Sequence, residues 1–125
     1  MARGMTLLEL TVVIVVLLGL VGVFAIGAAA WKKGSNRVLC IMNLQAVQKG
    51  VRSYANLYGY EAGATVPGLQ AQVIGDGAFV QKMPECPGSG IYTPGGDVVP
   101  DLGTLYLNCS LSNTGEHEPL NAEDW

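Results

Sequence analysis

Between Leu10 and Trp31 the chain carries no charged residue and consists almost entirely of Val, Leu, Ile, Ala and Gly. A bilayer core of about 30 Å needs roughly 20 apolar residues in a helix. The run is long enough to cross a membrane, and the rest of the chain must be organised around it. Glu9 stands at its start. On insertion scales an acidic side chain at mid-membrane costs about 2.5–3.5 kcal/mol, and less near the interface. A carboxylate kept in this position points to a cationic partner.

The run is preceded by Met1, Ala2, Arg3 and Gly4, a short basic leader ending in glycine, and then by Met5-Thr6-Leu7-Leu8-Glu9-Leu10. The stretch G-M-T-L-L-E-L at Gly4–Leu10, with the apolar segment behind it, resembles the type IV prepilins, a class that includes the pseudopilins of type II secretion. The resemblance implies cleavage after Gly4 by a membrane prepilin peptidase, followed by N-methylation of the new terminus at Met5. It also implies that Glu9 faces the terminal ammonium of a neighbouring subunit during assembly on an inner-membrane platform. Two departures from the family are visible: Met5 replaces the usual Phe, and Ile26-Gly27 lies where a helix-bending Pro is often found. An ordinary signal anchor, with Glu9 incidental, is the plain alternative. A cleaved secretory signal fits less well, because the run exceeds the usual apolar region of about 7–15 residues.

The 125 residues have room for one domain. Beyond the leader and apolar run about 94 residues remain, enough for a small core if one helix serves as its spine. The net charge of −3 provides no basic field, which disfavours nucleic-acid binding as a main task. Lys32, Lys33, Arg37, Lys49 and Arg52 would serve a DNA-capturing pilin only if exposed together on a fibre. Basic residues also raise a topological conflict. Arg3 precedes the apolar run while Lys32, Lys33 and Arg37 follow it, so a positive-inside count puts the C-terminal part in the cytoplasm. The prepilin resemblance implies the reverse: a single-pass inner-membrane protein with its N-terminus cytoplasmic and its C-terminal domain periplasmic.

After Trp31 the pattern turns amphipathic. Val38, Ile41, Leu44, Val47, Val51, Tyr54 and Tyr58 recur at steps of three or four, one face of a helix. Gln45, Gln48, Lys49, Arg52 and Asn56 fall mostly elsewhere. A helix is therefore expected from Thr6 to Tyr58, about 80 Å long at 1.5 Å per residue, with Gly34-Ser35-Asn36 as a hinge or new N-cap. Gly50 inside it is tolerated at about 1 kcal/mol relative to Ala. Four segments follow: leader 1–4, assembly helix 5–31, amphipathic half 32–58, and a loop-rich globular region 59–125.

The last of these segments holds most of the Pro and many of the Gly, predicting short strands and loops. A short helix is expected at Leu69–Val73, a turn at Gly75-Asp76-Gly77, and a further helical turn at Ala78–Lys82. Gly90–Tyr92 and Thr104–Asn108 are the best strand candidates, with Pro94-Gly95-Gly96-Asp97 as turn chemistry between them. The acidic tail from Ser110 to Trp125 reads as an extended loop. The fold class is α+β: a long N-terminal helix packed on a small antiparallel sheet of two to four strands, an arrangement the resemblance makes pilin-like.

Three cysteines allow three single-bridge pairings. Cys86–Cys109 is the expected disulfide, because both lie in the loop-and-sheet region where a small core most needs a staple. Cys40 is then a buried free thiol on the helix, and a Cys40 bridge to either of the others is the rival. Cys40–Leu44, Tyr58-Gly59, Pro84–Tyr92, Cys109-Ser110 and His117 together resemble one subset of prepilin-like proteins from bacteria of the Verrucomicrobia–Lentisphaera type.

A zinc set of Cys40, Cys86, Cys109 and His117 lacks any C-x₂-C or H-x₃-H pair, so His117 reads as a solvent-facing loop residue and no cofactor is expected. Asp97, Asp101, Glu116, Glu118, Glu123 and Asp124 supply oxygen ligands of the kind calcium takes, as bound by major pseudopilins. No D-x-[DN]-x-[DN]-G run organises them, and a solvated acidic tail is the simpler reading. There is no G-x-S-x-G, H-E-x-x-H or phosphate-cradling glycine loop, so the chain reads as a non-enzyme. The expected function is that of a structural subunit of a type II secretion pseudopilus or type IV pilus. Its partners are other pilin or pseudopilin subunits, the prepilin peptidase, the assembly platform and the lipid bilayer. The alternative is a monomeric signal-anchored periplasmic binding module.

Overall fold

The computed structural model describes residues 4 and 6–125. Met5, the expected methylation site and one side of the expected cleavage point, lies outside the described residues, as do leader residues 1–3. The fold is α+β. Helix α1 runs from Leu7 to Tyr58 and is followed by α2 (Leu69–Val73), β1 (Tyr92–Pro94), β2 (Leu107–Cys109) and a single turn, α3 (Ser112–Gly115). The helical assignment passes through Gly34-Ser35-Asn36 without a break. The chain divides into two compact units, 1–34 and Ser35–Trp125.

In the first unit, α1 opens with a reciprocal cap. The Thr6 amide donates to Glu9 Oε2 at 3.0 Å, and the Glu9 amide donates to Thr6 Oγ1 at 3.3 Å. This is a capping box, which satisfies two of the amides that the first helical turn leaves without partners. The apolar residues beyond it are exposed, with Leu17 at 55% and Phe24 at 78%. Nothing else in the described chain covers them.

In the second unit, α1 supplies the spine of the core. Its buried residues are Cys40, Leu44, Val47, Gln48, Gly50, Val51, Tyr54 and Ala55. The buried face is thus rotated from the predicted stripe: Val38 and Tyr58 are exposed, while Cys40, Gln48 and Ala55 are inside. Gly50 is also more than a tolerated weak point. A Cβ there would lie 3.1 Å from both Val73 Cγ1 and Val80 Cγ2, so its bare backbone allows α2 and the loop after it to close on the spine. Gly59, at φ 73°, ends the helix, and the Tyr60 amide reaches back to the Ala55 carbonyl at 2.8 Å. This is the Schellman arrangement that left-handed glycine permits.

Against this face pack Val66, Leu69, Val73, Val99, Tyr106 and Leu107, all buried. Helix α2 forms where expected. The helical turn expected at Ala78–Lys82 does not form. Gly77, at φ 76°, reverses the chain, and Val80 instead bonds back to Val73 and Gly75. The sheet is antiparallel and two-stranded, pairing Tyr92 with Cys109, Thr93 with Asn108 and Pro94 with Leu107.

Both strands start later than expected. Gln48 donates to the Thr104 carbonyl at 3.0 Å and accepts from the Tyr106 amide at 2.8 Å. A helix side chain thus takes the hydrogen bonds that would have made 104–106 a strand, and β2 begins at Leu107. Upstream of β1, Gly90 is turned against two sulfur atoms rather than laid in a ladder. The tail is not an extended loop. It contains α3, and Arg52 donates to the carbonyls of Pro100, Asp101 and Trp125, tying its end to the spine.

Candidate metal centre

Cys40 projects from the middle of α1, Cys86 from the loop before β1, Cys109 from the end of β2, and His117 from the residues just past α3. All four are buried, and one donor atom from each lies within 4.8 Å of the others. Cys86 Sγ is 3.7 Å from Cys109 Sγ and 3.3 Å from His117 Nδ1. All three cysteines are free thiols, so the expected Cys86–Cys109 pair is in contact but not bonded.

His117 corrects the sequence-based expectation of a solvent-facing residue: it is 5% exposed. The chain turns at Glu116, which adopts a left-handed φ of 55°, and the amides of Gly115 and His117 both return to the Leu111 carbonyl. That reversal directs the imidazole inward. An ion pair of Arg37 with Glu116 at 2.7 Å ties the same corner to α1. The pair is solvent-exposed, so it adds orientation more than stability.

Three glycines make room for the cluster. A Cβ on Gly90 would lie 2.6 Å from Cys109 Sγ and 3.1 Å from Cys86 Sγ. On Gly88 it would lie 2.8 Å from His117 Cε1, and on Gly115 3.0 Å from His117 Cδ2. The Cys86-Pro87-Gly88-Ser89-Gly90 stretch is therefore shaped by the sulfur and imidazole atoms around which it folds.

Polar groups surround the sulfurs. The Tyr92 hydroxyl donates to Cys40 Sγ at 3.3 Å and is itself held by Asn43 Nδ2 at 3.3 Å. Asn43 also donates to the Glu85 carbonyl, locking the approach to Cys86. The thiols are held unequally. Burial pushes Cys40 up to about 12. Burial also works to raise Cys86, but hydrogen bonds from the Gly88 and Gly90 amides and from the neighbouring thiols outweigh it and bring that thiol below its ordinary value. Hydrogen bonds that favour the charged form act in this direction.

The acidic residues do not assemble in this way. Asp97 Oδ1 accepts from the Gly68 amide and Glu116 pairs with Arg37. Among the described residues, the Cys/His cluster is the one group of three or more metal-type donors. Residues that sequence reasoning missed are Gln48, Asn43 and Tyr92, whose partners lie more than 40 positions away in the chain. The glycines of the Pro84–Tyr92 stretch were visible as a motif, but not what they accommodate.

Compared with protein-family models, curated proteins and solved structures, the chain matches none.

Proposed function

We propose that the protein is a prepilin-like structural subunit, cleaved after Gly4, methylated at Met5 and polymerised through α1 into a type II secretion pseudopilus or type IV pilus. The observation that carries this reading is the head of α1. Glu9 sits in the first turn of a helix whose apolar stretch has a mean hydropathy of 2.9 and none of its residues buried within the chain. Such a segment needs cover from lipid or from copies of itself.

In a single chain Glu9 Oε2 caps Thr6, and Oε1 makes no hydrogen bond among the described residues. A neighbour's terminal ammonium at that oxygen would neutralise the carboxylate as the helix leaves the bilayer. A buried pair of this kind specifies register more than it stabilises. The folded unit 35–125 stays outside the bilayer, on the periplasmic side.

Chemical cross-linking in membranes of the native host tests this assignment. The expected result is a ladder of bands at multiples of one chain. A single-chain band alone would contradict assembly and favour the monomeric signal-anchored module.

A further inference from the structure

We propose that Cys40, Cys86, Cys109 and His117 form a structural zinc site of the Cys₃His type, holding together four separate segments of the 35–125 unit. The spacing objection applies to sites built from one or two short knuckles. It loses force here, because each donor arrives on its own segment and the fold alone brings them together.

The geometry suits a tetrahedral ion. With Zn–S near 2.3 Å and Zn–N near 2.0–2.1 Å, tetrahedral edges are about 3.8 Å for S···S and about 3.6 Å for S···N. Cys86 Sγ lies 3.7 Å from Cys109 Sγ and 3.3 Å from His117 Nδ1. All four donors are buried and all four positions are filled by protein, the arrangement of a structural rather than a catalytic zinc.

Zinc would displace three thiol protons to water, leaving three thiolates and a neutral imidazole around a divalent ion, with one net negative charge. The surroundings answer that charge. Tyr92 donates to Cys40 Sγ and is itself held by Asn43 Nδ2. Metal-site partners of this kind orient the ligands and tune their basicity.

A Cys86–Cys109 disulfide explains less. It would use two of three clustered thiols and leave Cys40 and a buried imidazole without a task. Zinc employs all four groups. It also suits a unit whose regular structure beyond α1 is one short helix, one helical turn and two three-residue strands, since small scaffolds commonly need a metal or a bridge. Because the site forms only in the folded chain, metal binding and folding are coupled. This inference holds whether or not the chain assembles into a fibre.

The test uses the full-length protein, extracted from native-host membranes in detergent with thiols kept reduced. Elemental analysis should find a single zinc ion per chain, and the three thiols should resist alkylation until a chelator removes it. Reloading with cobalt(II) alone should give the strong visible absorption of a tetrahedral thiolate site. His117→Ala should lose that absorption and the bound zinc, whereas His117→Cys should retain zinc with a spectrum shifted toward four thiolates. A metal-free chain carrying a Cys86–Cys109 disulfide would overturn the proposal. So would a zinc-supplemented chain with three freely alkylated thiols, or a His117→Ala protein with unchanged zinc content and cobalt spectrum.

Discussion

Glu9→Ala leaves the protein folded and in the membrane but reduces the cross-linked ladder to a single-chain band. Two roles for Glu9 are separable. As the reciprocal partner in the capping box it accepts the Thr6 amide at 3.0 Å, and losing a hydrogen bond of this kind costs about 0.5–1.5 kcal/mol. A helix of 52 residues, most of them unaffected, survives that loss. In the proposed assembly it would supply the charge that a neighbour's ammonium needs as the helix leaves the bilayer, and without it that ammonium would be buried unpaired. Breaking a buried pair by removing one partner costs about 3–5 kcal/mol at each interface, enough to stop polymerisation. Glu9→Gln tells the two apart, because its amide oxygen can still cap Thr6 but carries no charge. The assembly account predicts that Glu9→Gln fails as completely as Glu9→Ala. A normal ladder from Glu9→Gln would reduce Glu9 to a helix cap.

The largest stability effect falls on a residue with no part in the apolar pattern. Gln48→Leu breaks two bonds to the segment before β2 at once: the Thr104 carbonyl loses its donor and the Tyr106 amide its acceptor. Gln48 is 2% exposed and Tyr106 fully buried, so water cannot replace the bond to the Tyr106 amide, whereas Thr104 is exposed and its carbonyl can turn to solvent. The buried Tyr106 amide, left unsatisfied, costs about 1–3 kcal/mol. That is a sizeable share of the roughly 5–15 kcal/mol that holds a typical domain folded. For a unit of this size each kcal/mol lowers the melting temperature by about 4–8 °C, and the expected drop exceeds about 4 °C. Gln70→Leu, exposed on α2, is the control and should stay within about 0.5 kcal/mol of the parent. Thermal melts of the full chain in detergent micelles measure both. If Gln48→Leu melts with the parent, the side chain does not hold residues 104–106 as described.

What could be read in advance followed from composition and short-range pattern. The run from Leu10 to Trp31 declares itself by its lack of charge, and the helix beyond by residues recurring every three or four positions. Leu69–Val73 and the Gly75–Gly77 turn were legible for the same local reasons. Most of the departures involve partners distant in the chain, although the helical turn expected at Ala78–Lys82 is lost to the nearby Val73 and Gly75. Gln48 looks like a surface residue until it meets Thr104 and Tyr106, and β2 starts at Leu107 because of that meeting. Val38 and Tyr58 match the apolar period but lie beyond the reach of the packed elements, while Cys40 lies within it. His117 looked solvated because its burial depends on the turn at Glu116 and on the space left by Gly88 and Gly115. Ligand spacing was a poor guide for the same reason: four donors on four segments have no characteristic interval. Glu9 was legible as an anomaly, but its capping bonds with Thr6 were not.

Processing between Gly4 and Met5 is tested most directly by intact mass and N-terminal sequencing of the protein recovered from native-host membranes. The account predicts a chain that begins at N-methyl-Met5, having lost residues 1–4 to the peptidase. A chain that still begins at Met1 would contradict it, leaving the apolar helix as a signal anchor and the folded unit as a monomer tethered to the membrane.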